Sequence, residues 1–279
     1  MELGLQLYSV REAMNEDALG TLRKIAAIGY KNLEFANHSA DKHPGCGFPM
    51  EAKELKKILG DLGLKAVSCH LDPLNPETIG PVLDYQLEMG NTNFVFGMHF
   101  FETRDDALRL AEQMNDVAKI AHGRGVMTFY HNHFHEFQQF GGEFVLDTLL
   151  NNTDPALVGV QLDTYWTMRG GQDPVKWIEK IGPRCAMIHQ KDMPKGMHPV
   201  IAFDQLPKNP HITMDTFRGI TKPEQFTEVG TGMMDIPAII RAAEAVGAKY
   251  IIVEQDFSQL TELESIEVSY KVINGLLAK

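Results

Sequence analysis

A closed barrel of eight parallel strands, each followed by a helix, is the fold this sequence predicts, on three observations. The first is a recurring unit, in which an amphipathic stretch ends in glycine and a short apolar run follows within a few residues. The second is the character of those runs. They hold four to seven residues rich in Val, Ile and Phe, as in strands buried on both faces of a parallel sheet. The third is their number: eight strand-like and eight helix-like segments alternate within 279 residues. Such alternation implies a parallel sheet with helices outside, and eight units suggest closure into a (β/α)8 barrel. A doubly wound open sheet is the alternative, but no GxGxxG follows the first strand.

The elements follow in order. A strand over 3–8 leads to a helix over 16–28, which KIAAIG closes at Gly29. A strand at 32–36 and a helix at 50–62, ending at Gly63, form the second unit. The third is 65–70 with 77–89 and Gly90, and the fourth 93–97 with 104–123 and Gly125. Strands at 126–132, 157–163 and 185–190 then alternate with helices at 143–151 and 173–181, the latter ending at Gly182. The last helices, 235–246 (ending at Gly247) and 261–277, flank a strand at 249–254. Glycine accepts the left-handed conformation that closes a helix, and the chain turns directly into a strand. Spacings of 34, 27 and 35 residues between the first four glycines suit one strand–helix unit each.

Composition narrows the function. At 44% hydrophobic and 23% charged the chain is neither disordered nor collagen-like, and one barrel domain over 1–279 accommodates it. A formal charge of −11 repels phosphate backbones and anionic lipid, so neither nucleic acid nor membrane is expected as a partner. No basic, apolar leader opens the sequence and no run of about 18 apolar residues occurs. Cys46, Cys69 and Cys185 are odd in number and lack CxxC spacing, which points to reduced thiols and a cytoplasmic setting. Cys69 and Cys185 read as small apolar strand residues.

Residues 193–230 break the rhythm, with five prolines and little periodicity. They follow strand seven on the side where barrel active sites form, as a lid or binding loop or as a surface excursion. A shorter loop, 37–49, follows strand two on the same side.

The C-terminal strand ends of a barrel point into one mouth. Strand two ends at Glu34, three at His70, four near His99 and five at His131-Asn132-His133, with His135 and Glu136 beyond. Strand six ends at Asp163, seven at His189 with Lys191 and Asp192, and eight at Glu254 with Gln255 and Asp256. Titratable groups destabilise an apolar interior unless paired, so their convergence calls for a site. His131 and His133 are two apart and face one side of a strand, with Asn132 facing away. With Asp163, His189 and Glu254 they offer nitrogen and hard oxygen ligands, suited to Mn²⁺, Co²⁺, Zn²⁺, Fe²⁺ or Mg²⁺.

The stretches GLQLYSVRE, GYKNLEF, YHNHFHEF, LDTYW, HQKDM, EVGTGMMD and IIVEQD, in this order, resemble the sugar phosphate isomerase/epimerase-like family of the xylose-isomerase-like TIM-barrel superfamily. The resemblance implies one divalent metal, Mn²⁺ foremost, on strand-end ligands of strands five to eight. Carried over, these are His131, Asp163, His189 and Glu254, with His131 where the epimerases carry Glu. That departure puts two-base epimerisation in doubt. His133 matches a position where related dehydratases carry a basic His, which makes it the candidate proton carrier beside Glu254. Trp166 stands where many relatives have a substrate-contacting His. It is read either as a stacking platform for a sugar or as rim packing.

A metal at the mouth stabilises the negative charge formed when a carbon-bound proton leaves next to a carbonyl, and a histidine base suits that step. Proton return gives isomerisation or epimerisation; loss of a β-oxygen gives dehydration or elimination. The expectation is therefore an isomerase or epimerase acting on a sugar, keto-sugar or derivative, with a lyase as the alternative. A non-catalytic sugar binder is a further reading, and an endonuclease is opposed by the charge and the single ligand set. Glu34 and His70 are candidates to hold substrate hydroxyls. Lys191 or Lys195 could neutralise a phosphate or developing charge, or be ordinary solvated lysines. Glu136 could be a ligand, a partner for His131 or His133, or a surface carboxylate. EVGTGMMD (228–235) could approach substrate through its glycines or form a turn with Asp235 as helix cap. The amphipathic 261–277 helix offers a surface for a homo-oligomer.

Overall fold

The computed structural model describes residues 1–208 and 210–278. Asn209, inside the expected excursion, and Lys279, the last residue of the expected domain, lie outside the described residues. Eight strands form a closed, wholly parallel barrel: β1 (Glu2–Gln6), β2 (Asn32–Asn37), β3 (Lys65–Leu71), β4 (Asn93–Phe96), β5 (Met127–His131), β6 (Val158–Asp163), β7 (Cys185–Gln190) and β8 (Tyr250–Val253). Each pairs with its neighbours in sequence, and β8 closes onto β1 with Leu5 opposite Val253. A small antiparallel hairpin, Gln139–Phe140 with Glu143–Phe144, stands outside the barrel.

Among the described residues ten helices accompany the strands: α1 (Arg11–Ile28), α2 (Ala52–Asp61), α3 (Ile79–Met89), α4 (Arg104–His122), α5 (Val145–Asn152), α6 (Thr164–Arg169), α7 (Pro174–Ile181), α8 (Met214–Ile220), α9 (Ile236–Ala245) and α10 (Glu262–Leu277). All six glycines expected to close helices have positive φ, from 62° at Gly182 to 121° at Gly29. The helix starts also have local causes. Asp173 accepts from the Val175 amide, with Pro174 locking the first turn of α7. Thr261 and Glu264 bond each other's backbone amides at the start of α10. No helix among the described residues is long and apolar enough to cross a membrane.

Some expectations need correction. The first strand stops at Gln6, because the Gln6 side chain accepts from the Tyr8 amide and starts a 3-10 turn over Leu7–Val10. Helix α1 begins at Arg11 rather than 16, and bends at Asp17, whose backbone leaves helical geometry while its carboxylate caps the Gly20 amide. Strand β5 ends at His131, so His133 lies just past it. Nor is the excursion after β7 featureless. It contains α8 and two 3-10 turns, and Phe217, Phe226, Ile212, Ala202 and Met193 pack with Phe134, Tyr165 and Trp166. Polar spacers hide this cluster from a periodicity count.

The barrel interior is layered. Val67, Val95, Phe129, Met187, Tyr250 and Ile252 fill its lower part. Phe129 faces Gly159 across the β5–β6 pair, and a Cβ on Gly159 would lie 2.5 Å from the Phe129 ring. One strand period higher, the same inward faces carry polar groups: His131 above Phe129, His189 above Met187 and Glu254 above Ile252. Above β3 and β4, the Asp72 carboxylate accepts from the Gly97 amide at 3.2 Å and ties the two loops together. Burial pushes its pKa up to about 7, with the nearby His70 pulling the other way.

Two outcomes follow from this layering. Phe129→Ala should lower stability by about 3–5 kcal/mol in urea denaturation, and Gly159→Val by about 1–3 kcal/mol, because one empties and the other overfills the same space. Asp72 binds its proton more tightly folded than unfolded, so it costs stability as pH rises from the ordinary aspartate range through about 7. Asp72→Asn should therefore be more stable than the parent at pH 8 and no more stable at pH 4; equal thermal midpoints at pH 8 would exclude this.

Candidate active site

Period-two geometry delivers the site. The inward positions at the upper ends of the strands are Gln6 (β1), Glu34 (β2), His70 (β3), His131 (β5), Gln161 and Asp163 (β6) and His189 (β7), with Lys191 and Glu254 just past β7 and β8. All are at most 7% exposed.

Glu34 is the floor of this group. Its Oε1 accepts from Gln6 Nε2 at 2.8 Å, lies 3.1 Å from His70 Nε2 and bonds His189 Nε2, while its Oε2 accepts from Gln161 Nε2. The Gln161 amide oxygen lies 2.7 Å from His70 Nε2 and 3.1 Å from His131 Nδ1. An amide oxygen only accepts, so both of those ring nitrogens carry hydrogen. The remaining nitrogen of His131, Nε2, is left with its lone pair 3.8 Å from Asp163 Oδ2. His189, fixed to Glu34 through Nε2, places Nδ1 3.0 Å from Glu254 Oε2.

His131, Asp163, His189 and Glu254 each present one ligand atom within 4.8 Å of one another. Two imidazoles and two carboxylates match the donor set of a borderline divalent cation. Asp163 Oδ2 is buried without a hydrogen-bond donor of good geometry, whereas its Oδ1 caps α6 by accepting from the Trp166 amide at 2.7 Å. Asp163 Oδ2, facing the Lys191 ammonium at 3.1 Å and His131 Nε2, and the four-donor set fit a metal. His70, His131 and His189 form a second close group, which Glu34 and Gln161 satisfy by hydrogen bonding.

The electrostatics follow the contacts. Burial opposes ionisation of Glu34 and Glu254, but His189 and His70 beside the first, and Lys191 and His189 beside the second, hold both well below the usual carboxylate range. Burial lowers the His189 pKa, and Glu34 and Glu254 more than offset it, raising it to about 9. Asp163 is raised by burial against the pull of Lys191 and His189. Burial holds His131 and His133 well below the ordinary histidine value, reinforced by His189 for the first and His135 for the second. Both therefore favour the neutral imidazole, and among the described residues His133 Nδ1 has no hydrogen-bond partner.

The other expected residues divide. His133 joins the group, its ring 4.9 Å from that of His131. His99 does not. It lies three residues past β4, and its carbonyl accepts from His135 Nε2 at 2.6 Å, outside the four-donor cluster. Glu136 is no surface carboxylate. It is fully buried and accepts from Tyr130 Oη at 2.7 Å and from the His133 amide at 2.8 Å, which sets the turn that carries His133. Trp166 is 2% exposed and packs among Tyr165, Phe217 and Phe226, with the contacts of rim packing. Lys191 is 1% exposed and ion-paired to Asp163 and Glu254, not a solvated loop lysine, whereas Lys195 is exposed.

Sequence reasoning passed over three groups. Gln161 stands two residues before Asp163, and Gln6 ends β1, so stepping back by two from each strand end would have found them. Asp192 was noted only as a neighbour. Its carboxylate accepts from the amides of Met193, Gly230, Gly232 and Met234 at 2.8–3.1 Å. The glycines of 228–235 thus serve an internal anion, and Asp235 caps α9. A Cβ on Gly232 would meet Asp192 Oδ1 at 2.3 Å.

Comparison with known proteins agrees with this architecture. An inosose dehydratase from Bacillus anthracis (strain CDC 684 / NRRL 3495) is 29% identical over 157 residues, 55% of this chain and 49% of that protein. The chain thus spans about half the length of the curated relatives it matches. A sugar phosphate isomerase/epimerase from Parabacteroides distasonis ATCC 8503 superposes with a TM-score of 0.77 at 26% identity, covering 98% of this chain and 93% of the other. The IolI protein, whose crystal structure holds a zinc atom, shares the fold with a TM-score of 0.71 at 15% identity, over 100% of this chain and 98% of the other. The model of the xylose isomerase-like TIM barrel family matches residues 22–272, and the chain belongs to that family.

Proposed function

We propose that this protein is a divalent-metal-dependent enzyme that removes a proton next to the carbonyl of a keto-sugar or keto-cyclitol and completes a dehydration. His131 Nε2, Asp163, His189 Nδ1 and Glu254 would hold the metal. A dication there supplies Lewis acidity toward a substrate oxygen. Zinc in the IolI structure and the donor set here support a metal of this kind, with Mn²⁺, Co²⁺, Fe²⁺ and Mg²⁺ as the other candidates.

The observation that carries the lyase reading is a free base beside the four-donor cluster. His133 is held neutral and its Nδ1 is unpartnered, so it can accept a carbon-bound proton. Glu254, the other proposed base, is already engaged by His189 and Lys191. Inversion through two opposed bases lacks its second member, whereas dehydration needs one base and a proton for the departing hydroxyl. The proton on carbon leaves to His133, the β carbon–oxygen bond breaks, and protonated His133 hands that proton to the leaving hydroxyl, which departs as water with no change of oxidation state. The dehydratase name of the half-length relatives supports the same reading. Isomerisation is the second reading. It rests on the likeness to the Parabacteroides protein and needs only that His133 return its proton to the neighbouring carbon.

Metal-loaded protein incubated with inososes and keto-sugars in D₂O separates these outcomes. Loss of one water is expected, and His133→Asn should slow it about 10²–10⁴-fold. Deuterium retained on carbon at otherwise unchanged mass would replace the lyase with an isomerase. Absence of exchange with every substrate would leave a binding protein. His189→Ala should lower bound metal at least tenfold by elemental analysis (about 1.4 kcal/mol or more); full occupancy would remove His189 from the ligand set.

A further inference from the structure

We propose that Lys191 is an internal counter-ion that occupies the cation position of the His131, Asp163, His189 and Glu254 cluster and yields it by swinging to Asp256. The inference rests on the reading of that cluster as a metal site and adds what the chain does before and during metal entry. Lys191 follows His189 by two residues, so its side chain leaves on the same inward side as the ligand. Its Nζ bonds Glu254 Oε2 and lies 3.1 Å from Asp163 Oδ2 and 3.5 Å from Asp256 Oδ1. Glu254 Oε2 is also the atom facing His189 Nδ1. The ammonium therefore sits against both carboxylates of the four-donor set, where it competes with a dication for them.

One permanent positive charge there does two things. Without a metal, it keeps Asp163 and Glu254 from facing each other as unpaired buried anions. With a metal arriving, it repels the ion and competes for the same lone pairs, since like charges a few ångströms apart in a buried site interact strongly. The competition has an exit. Asp256 is outside the four-donor set and already within reach of Nζ, and Arg11 Nη2 bonds its main-chain carbonyl at 2.9 Å. Lysine's flexible four-carbon stem permits the transfer from one carboxylate to the next. The displaced ammonium then keeps an anionic partner, and the metal gains Asp163 and Glu254.

A double-mutant cycle on metal affinity tests this. Affinity for Zn²⁺ and Mn²⁺ is measured by competition with a chromophoric chelator for the parent, Lys191→Met, Asp256→Asn and the double variant. Lys191→Met should bind about tenfold more tightly or better, since the competitor is gone. Asp256→Asn should bind at least about threefold more weakly, and this loss should vanish in the Lys191→Met background. Equal affinity of parent and Lys191→Met overturns the proposal while leaving the metal reading intact. An equal loss from Asp256→Asn in both backgrounds overturns the swing, because it assigns Asp256 only a distant field. A parent that binds neither ion, indistinguishable from His189→Ala, overturns the metal reading as well. A measurement on the parent avoids dependence on variant folding: the lysine side-chain ¹⁵Nζ signals followed through a zinc titration. One slowly exchanging ammonium signal should move to a new position at one equivalent; no displaced signal at saturation overturns the proposal.

Discussion

The burial of an acid-rich cluster inside a closed barrel is the constraint on which the rest of this site depends. Glu34, Asp163, Glu254 and Asp256 converge there with a single lysine, Lys191. Removing such charges from water costs several kcal/mol each unless partners replace the solvent. Every surrounding choice meets that demand. Gln6 and Gln161 supply neutral donors to Glu34, where another cation would remove the acidic surplus. His189 bridges Glu34 and Glu254 through its two nitrogens, so its orientation follows from its charge partners. Gln161 fixes the hydrogen-bearing nitrogens of His70 and His131 through one shared oxygen. The result is a set of donor atoms held in place before anything binds, and preorganisation of this kind separates a site from a mere concentration of polar groups.

Much of this was legible because a parallel barrel converts sequence period into depth. Residues two apart on a strand share a face, so each inward column reads as an apolar residue followed by a functional one, as in Phe129 and His131 or Met187 and His189. The four candidate metal ligands and His133 fall out of that rule with no tertiary information. Groups whose importance is relational were harder to read. Gln161 matters because it touches Glu34, His70 and His131 at once, and those contacts join strands far apart in sequence. Lys191 is ambiguous in sequence, since the same lysine one loop residue further from the strand would be solvated. Only the closure of the barrel brings Asp163, Glu254 and Asp256 to it from three different strand ends. His99 illustrates the opposite failure. A loop of three residues past β4 is enough to turn its ring away from the cluster and leave its carbonyl to serve His135.

The excursion after β7 was also only half legible, and its packing explains why the site is so enclosed. Its aromatic residues lie against Phe134 and Trp166, on the side of the mouth that carries His133, and the Phe217 ring is 5.4 Å from that of His133. Asp192 holds the returning segment of the excursion through the amides of Gly230, Gly232 and Met234, and it directly follows Lys191. Three positions within four residues past the middle of β7 therefore divide the work: His189 faces the candidate metal cluster, Lys191 balances its charge, and Asp192 fixes the cover. Gln190, between them and facing outward, bonds Thr164 of the neighbouring unit.

That division explains why an apolar lid suits the proposed chemistry. A proton acceptor such as His133 must stay neutral to act as a base near pH 7, and an imidazole loses its charge most readily where water is scarce. The aromatic cover achieves this on one side while the candidate metal cluster retains its charges on the other, less than 5 Å away between the rings of His131 and His133. Two adjacent microenvironments of opposite character, supplied by residues two apart in sequence, push the acid–base roles of neighbouring groups apart, as proton abstraction beside a polarised carbonyl requires.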